Sequence, residues 1–131
     1  MATVLAIDYG KKRIGLASGS DNLKIASPKG IIENKNDPFV LAKLKEICDK
    51  FEISKIVIGI PLDMKDAGER TMIAKLVKKF ALVLEENLKL EVVLFDERLS
   101  TFEADSISVG KRGAKDDLSA QIILQRYFDS I

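Results

Sequence analysis

An apolar run, Val4-Leu5-Ala6-Ile7, stops at Asp8, and the chain then turns through Tyr9-Gly10-Lys11-Lys12-Arg13. A carboxylate at the end of a buried strand, followed by a glycine turn and three cations, is the pattern of a metal-ion site facing a polyanion. The competing reading is an Asp that only closes a hairpin turn through local hydrogen bonds. Two further acidic groups, Asp96-Glu97 and Asp116-Asp117, shift the balance toward chemistry. The chain has no histidine, which excludes Ser-His nucleophiles and histidine-bound zinc. Carboxylates, lysines, hydroxyls and bound metal remain.

The bulk numbers set the frame in which these groups must work. With 131 residues and 47% hydrophobic content, the chain suits one core, so residues 1–131 are read as a single domain. Its longest apolar stretches, such as Ile56 to Leu62 with Gly59 and Pro61 inside it, fall far short of the ~20 residues that cross a bilayer. The start at Met1 has no cationic lead or small-residue cleavage site, so a cytoplasmic location and no membrane partner are expected. Cys48, the one cysteine, reads as a small buried hydrophobe. Lys and Arg number 21 against 20 Asp and Glu, so attraction to nucleic acid must come from a local patch.

Residues 2 to 8 read as a buried strand, with Ile14-Gly15-Leu16-Ala17 as its hairpin partner. Residues 24 to 33 form a third strand, in which Pro28 and Gly30 mark a bulge or an edge position. Asp37-Pro38 starts a helix, Asp37 as its cap, with Phe39, Leu41, Leu44, Ile47, Cys48 and Phe51 at helical spacing. Ile56-Val57-Ile58-Gly59-Ile60 is a strand apolar on both faces, as in parallel sheets. A polar loop, Asp63 to Gly68, leads to a long helix with Ile73, Leu76, Val77, Phe80, Val83 and Leu84 on one stripe. Glu91-Val92-Val93-Leu94-Phe95 is the fifth strand. Ser100-Thr101-Phe102-Glu103 has the form of a capping box for a short helix. A basic loop, Gly110-Lys111-Arg112-Gly113, precedes a last helix from about Asp117 to Phe128. The order predicts an α/β fold: a mixed five-stranded sheet with helices on both faces.

Right-handed crossovers make the first, fourth and fifth strands parallel, so Asp8 and Asp96-Glu97 end at one edge of the sheet, where ligand sites of open sheets gather. One of Asp116 and Asp117 is expected to cap the last helix, leaving the other to complete a carboxylate trio. Paired divalent cations cleave phosphodiesters without histidine. With the fourth strand between the first and fifth, Asp8 lies about two ~4.8 Å spacings from Asp96-Glu97, which favours the longer Glu97 as the reaching ligand. Gly59 between them leaves room for metal or substrate.

Ala6-Ile7-Asp8-Tyr9-Gly10 with Arg13-Ile14-Gly15-Leu16-Ala17, Ile58-Gly59-Ile60-Pro61-Leu62 with Gly68-Glu69-Arg70, Asp96-Glu97-Arg98-Leu99-Ser100-Thr101, and Asp116 with Ser119-Ala120 and Ile123-Leu124-Gln125 together resemble the YqgF/RuvX family. The motifs occur in family order over nearly the whole chain. The resemblance implies a ribonuclease H-like fold and a metal-dependent nuclease using Mg²⁺ or Mn²⁺. It implies as substrate the 5′ end of precursor 16S ribosomal RNA, with Holliday junctions in branched DNA as the alternative. By position it makes Asp8, an acid of the Asp96-Glu97 pair, and Asp116 the metal ligands, Asp116 being the acid three residues before the small pair Ser119-Ala120. Related resolvases carry an acid at the end of the fourth strand, where this chain has Gly59.

Around the same edge the sequence brings Lys11, Lys12 and Arg13, then Lys65 and Arg70, then Lys111, Arg112 and Lys115, a local basic patch for phosphates. Arg98 either pairs with a neighbouring acid or grips the scissile phosphate through its fork. Two tyrosines and no tryptophan leave little for base stacking, so recognition rests on backbone and shape. Three functions are carried forward: a nuclease of precursor ribosomal RNA, a junction resolvase, which must act as a homodimer, and an RNA- or ribosome-binding factor without turnover. A monomer or a homodimer is compatible with the sequence.

Overall fold

The computed structural model describes residues 2–60, 69–96 and 115–131, with side chains except at 69–71 and 115–117. Hydrophobic alternation builds its centre. Along Thr3–Tyr9 (β1), Leu5 and Ile7 enter one core cluster, and Val4 and Ala6 enter a second on the opposite face. Arg13–Ser20 (β2) pairs antiparallel with β1 and with Ser27–Glu33 (β3), and Ile53–Ile60 (β4) lies parallel to β1 and to Glu91–Asp96 (β5). The five-stranded order is β3-β2-β1-β4-β5. The mixed sheet, and β4 between β1 and β5, are as expected.

Asp37–Lys50 (α1) and Glu69–Leu88 (α2) cover one face, burying Val40, Leu44, Cys48, Val77, Phe80, Ala81 and Leu84 against Leu5, Ile7, Ile56, Ile58 and Ile60. Lys115–Ser130 (α3) covers the other, with Ala120, Ile123, Leu124, Tyr127 and Phe128 on Val4, Ala6, Ala17 and Val57. Two faces explain why β4 reads as continuously apolar. Among the described residues, no helix is long and apolar enough to cross a membrane.

Three boundaries differ from the sequence reading, each for a local reason. Asn36, not Asp37, caps α1: its backbone is extended and its Oδ1 accepts the Phe39 N–H at 2.8 Å. Pro38 then falls in the first turn, where its missing N–H costs nothing. Asn36→Ala is expected to cost about 1 kcal/mol, read as a lower urea midpoint at unchanged slope.

The third strand begins at Ser27 rather than Lys24. The backbone of residues 24–26 bonds instead to α3: Gln125 Oε1 accepts the Ala26 N–H at 3.1 Å, Gln125 Nε2 donates to the Lys24 carbonyl at 2.8 Å, and Gln121 Nε2 donates to the Ala26 carbonyl at 3.2 Å. Two glutamines thus take the place of a strand partner. The last helix starts at Lys115, so Asp116 and Asp117 stand in its first turn rather than before it. The Asp63–Gly68 loop, the capping box at Ser100–Glu103 and the Gly110–Gly113 loop lie outside the described residues.

Candidate active site

Asp8 is the second-last residue of β1 and is half-buried. Alternation places it on the face of Val4 and Ala6, the face covered by α3. Its partner across β2 is Gly15. On the other side β1 and β4 are in register through Ile7 and Ile58, so the next position of β4 is Gly59. The carboxylate therefore stands between two strands that carry no side chain beside it.

The turn behind Asp8 is tightly held. Tyr9 packs on Phe80, ring centroids 4.9 Å apart, on the opposite face. A Cβ at Gly10 would meet the Arg13 carbonyl oxygen at 2.5 Å, so this turn closes only over glycine. Asn34 fastens it from outside: its N–H donates to the Lys12 carbonyl and its Nδ2 to the Gly10 carbonyl, both at 2.8 Å. The sequence reading missed Asn34. The signal was an Asn just past a strand end, a side chain suited to bonding nearby backbone. Lys11, Lys12 and Arg13 are exposed on the secured turn.

The register fixes the side of the sheet on which Asp96 lies. Asp96 pairs with Ile60, and the same rung pattern joins Ile58 to Leu94 and Ile56 to Val92. Ile56, Ile58, Ile60 and Val92 belong to the α1/α2 face, whereas Phe95 and Val93 belong to the α3 face with Asp8. Asp96 is thus on the side of the sheet opposite Asp8. The next residue in sequence is Glu97.

The third acid is carried by α3, and the packing sets the helix's direction. Tyr127 accepts a 3.0 Å hydrogen bond from Lys55 Nζ, near the start of β4, and Lys24 Nζ reaches the Ile131 carbonyl at 3.0 Å. The C-terminal end of α3 is therefore fixed where β1 and β4 begin. Asp116 lies about 16 Å earlier along the axis at 1.5 Å per residue, close to the ~13 Å that the strand covers from Val4 to Asp8. The first turn of α3 is directed to the edge where β1 ends.

Glu97, Arg98, Lys65, Lys111 and Arg112 lie outside the described residues, and Arg70, Lys115 and Asp116 are described by backbone alone. Among the described residues no group of three His, Cys, Asp or Glu side chains could hold a metal ion. Asp8 supplies hard carboxylate oxygen, a donor suited to Mg²⁺ or Mn²⁺ rather than to soft metals. Cys48 takes no part: burial, with Asp49 beside it, pushes its thiol up to about 11, so it stays protonated and inert.

Comparison with known proteins gives three results. Residues 2–130 match the family model described as RuvX: Holliday junction resolvase. A protein of Rickettsia africae (strain ESF-5) named "Putative pre-16S rRNA nuclease" is 36% identical over 137 residues, covering 99% of this chain and 88% of its own, and a namesake from Chloroflexus aurantiacus (strain ATCC 29366 / DSM 635 / J-10-fl) is 34% identical, covering 97% and 86%. Among solved structures, Thermus thermophilus RuvC in complex with a Holliday junction substrate superposes with a TM-score of 0.66 at 12% identity, covering 99% of this chain and 95% of that one. That likeness shows the fold, the ribonuclease H-like arrangement expected above. Nucleases of this kind generally work with divalent metals.

Proposed function

Because this chain belongs to the RuvX family, whose members are nucleases that hydrolyse phosphodiester bonds, we propose that it trims precursor 16S ribosomal RNA at the 5′ end with Mg²⁺ or Mn²⁺. Asp8, Glu97 and Asp116 hold the cations. The observation that carries this reading is Asp8 itself, a carboxylate at the carboxyl end of a central parallel strand, flanked by Gly15 and by the position of Gly59. The heading of α3 supports Asp116 as a partner, and the side of Asp96, opposite that of Asp8, leaves Glu97 as the acid of the pair in this reading.

A divalent cation held by these acids would activate a water and stabilise the leaving oxygen. The chain's own residues do the rest. Asp8 is fixed by the β1 ladder and by the Tyr9–Phe80 contact next to it, so little reorganisation is needed when a phosphate arrives. The absence of side chains at Gly15 and Gly59 leaves a slot through which a phosphate backbone approaches the carboxylate. Lys11, Lys12 and Arg13, on the turn that Asn34 fastens, neutralise phosphates beside the scissile one. Lys65, Arg70, Arg98, Lys111, Arg112 and Lys115 extend that rim in the proposal. A single active site suffices for this reaction, so a monomer can perform it.

The test is cleavage of a 5′-extended 16S precursor and of a four-way DNA junction side by side, with Mg²⁺ and with Mn²⁺. Release of the precursor's 5′ extension is expected. Preferential cutting of the junction by a homodimer would replace this reading with the resolvase, and binding of RNA without cutting in either ion would replace it with a non-catalytic factor.

A further inference from the structure

On the α1 side of the outer strand lies a cavity of about 360 Å³, formed by β3, β2 and α1. Its apolar lining includes Leu16, Ile32, Ile47 and the half-buried Phe39. Three lysines, Lys29, Lys35 and Lys43, line it against one carboxylate, Glu33. Lys35 and Lys43 both stand over the Phe39 ring, 4.9 and 5.7 Å from its centroid, and Lys29 stands 5.0 Å from that of Phe51. Lysines gathered around exposed apolar surface at this ratio suit a ligand that is both anionic and partly apolar.

The groove is continuous with the candidate active site. Glu33 pairs with Arg13 at the end of β3. The next residue, Asn34, bonds to the Gly10 and Lys12 carbonyls of the turn that follows Asp8. Lys35 is therefore one residue from the clamp on the basic turn, and Lys43 lies two helical turns further along α1. The cations form a line that leaves the Asp8 edge and runs down the flank of the sheet.

We propose that this groove is a track for the single-stranded flank of the substrate, taking its phosphates on Lys35, Lys43 and Lys29 and one base on the apolar floor beside Phe39. The inference rests on the nuclease reading above and adds a second region of contact to it. The cavity is near the small end of ligand pockets, roughly 300–1,000 Å³, which fits one unit of a strand rather than a duplex. An acidic peptide would match the lysines equally, but the link to the Asp8 turn favours the polynucleotide.

The experiment measures binding of two single-stranded RNAs without divalent ion, one ending near the cleavage site and one carrying a long flank, over a range of salt. Wild type is compared with the triple variant Lys29→Ala, Lys35→Ala, Lys43→Ala and with Lys43→Glu alone, all at exposed positions. For the long RNA, the triple variant is expected to bind about a hundredfold more weakly at low salt, with a log K against log salt slope shallower by about two, the share of three phosphate contacts at ~0.7 each. Lys43→Glu is expected to weaken the long RNA alone, and the short RNA should not distinguish the proteins. An unchanged slope, an equal change for both RNAs, or competition by polyglutamate without any length dependence would overturn the track. When Mg²⁺ or Mn²⁺ is then added to the same RNAs, lysine-dependent binding of the flank without cleavage would sink the nuclease reading and leave the track; normal cleavage with an unchanged slope would sink the track alone.

Discussion

Asp8→Asn is expected to lower single-turnover cleavage of precursor RNA about a thousandfold or more, the scale lost when a charge-stabilising group leaves an active site. The amide keeps the shape and removes the negative charge, so the proposed cation site loses a ligand while the strand keeps its backbone ladder. The melting temperature should stay within about 5 °C of wild type, because the residue is only half-buried and contributes no apolar packing. RNA affinity without divalent ion should hold or rise slightly, since a like charge has gone from beside the phosphates. Cleavage at the wild-type rate by a folded Asp8→Asn protein would remove this carboxylate from the mechanism.

The second expectation separates two adjacent acids. Glu97→Gln should approach the loss seen for Asp8→Asn, whereas Asp96→Asn should cost less than about tenfold. The difference follows from the rungs of the sheet: Asp96 lies opposite Ile60, on the face covered by α1 and α2, and Asp8 lies on the other. Alternation fixes that side for Asp96, away from a cation held at Asp8. If Asp96→Asn proved the more damaging in the same single-turnover assay, the strand would not be selecting the ligand and the proposed trio would have to be rebuilt.

Much of this architecture can be seen in the residues because burial writes it there twice. Leu5 and Ile7 against Val4 and Ala6, and the unbroken apolar Ile56 to Ile60, require a sheet covered on both sides, and the α1 stripe at Leu44 and Cys48 supplies one cover. The helix boundaries were harder to read. Asn36 and Asp37 are both good caps, and only the hydrogen bond to Phe39 decides between them. Residues 24–26 look like strand because Ile25 and Ala26 are apolar, yet their backbone is bonded by glutamines 95 to 101 positions away in sequence, a pairing that local pattern does not encode. At the site, the type and location of Asp8 were legible, and the choice between Asp96 and Glu97 was argued from reach. Register adds a different ground, the side of the sheet on which Asp96 lies, and that depends on Ile60 meeting Asp96, a long-range pairing that local pattern does not announce.

The outer strand β3 has a consequence for behaviour at high concentration. Between the rungs Leu16–Gly30 and Ala17–Pro28 the ladder skips Lys29; Pro28 has no N–H to offer, and Gly30 sits at a φ of +99°. A newcomer chain trying to zip onto this rim would find a missing donor, a looped-out cation and a kink in succession, obstacles of the kind that discourage fibril-like stacking. The molecule can thus keep one flank of its sheet open to solvent and remain dispersed in a crowded solution.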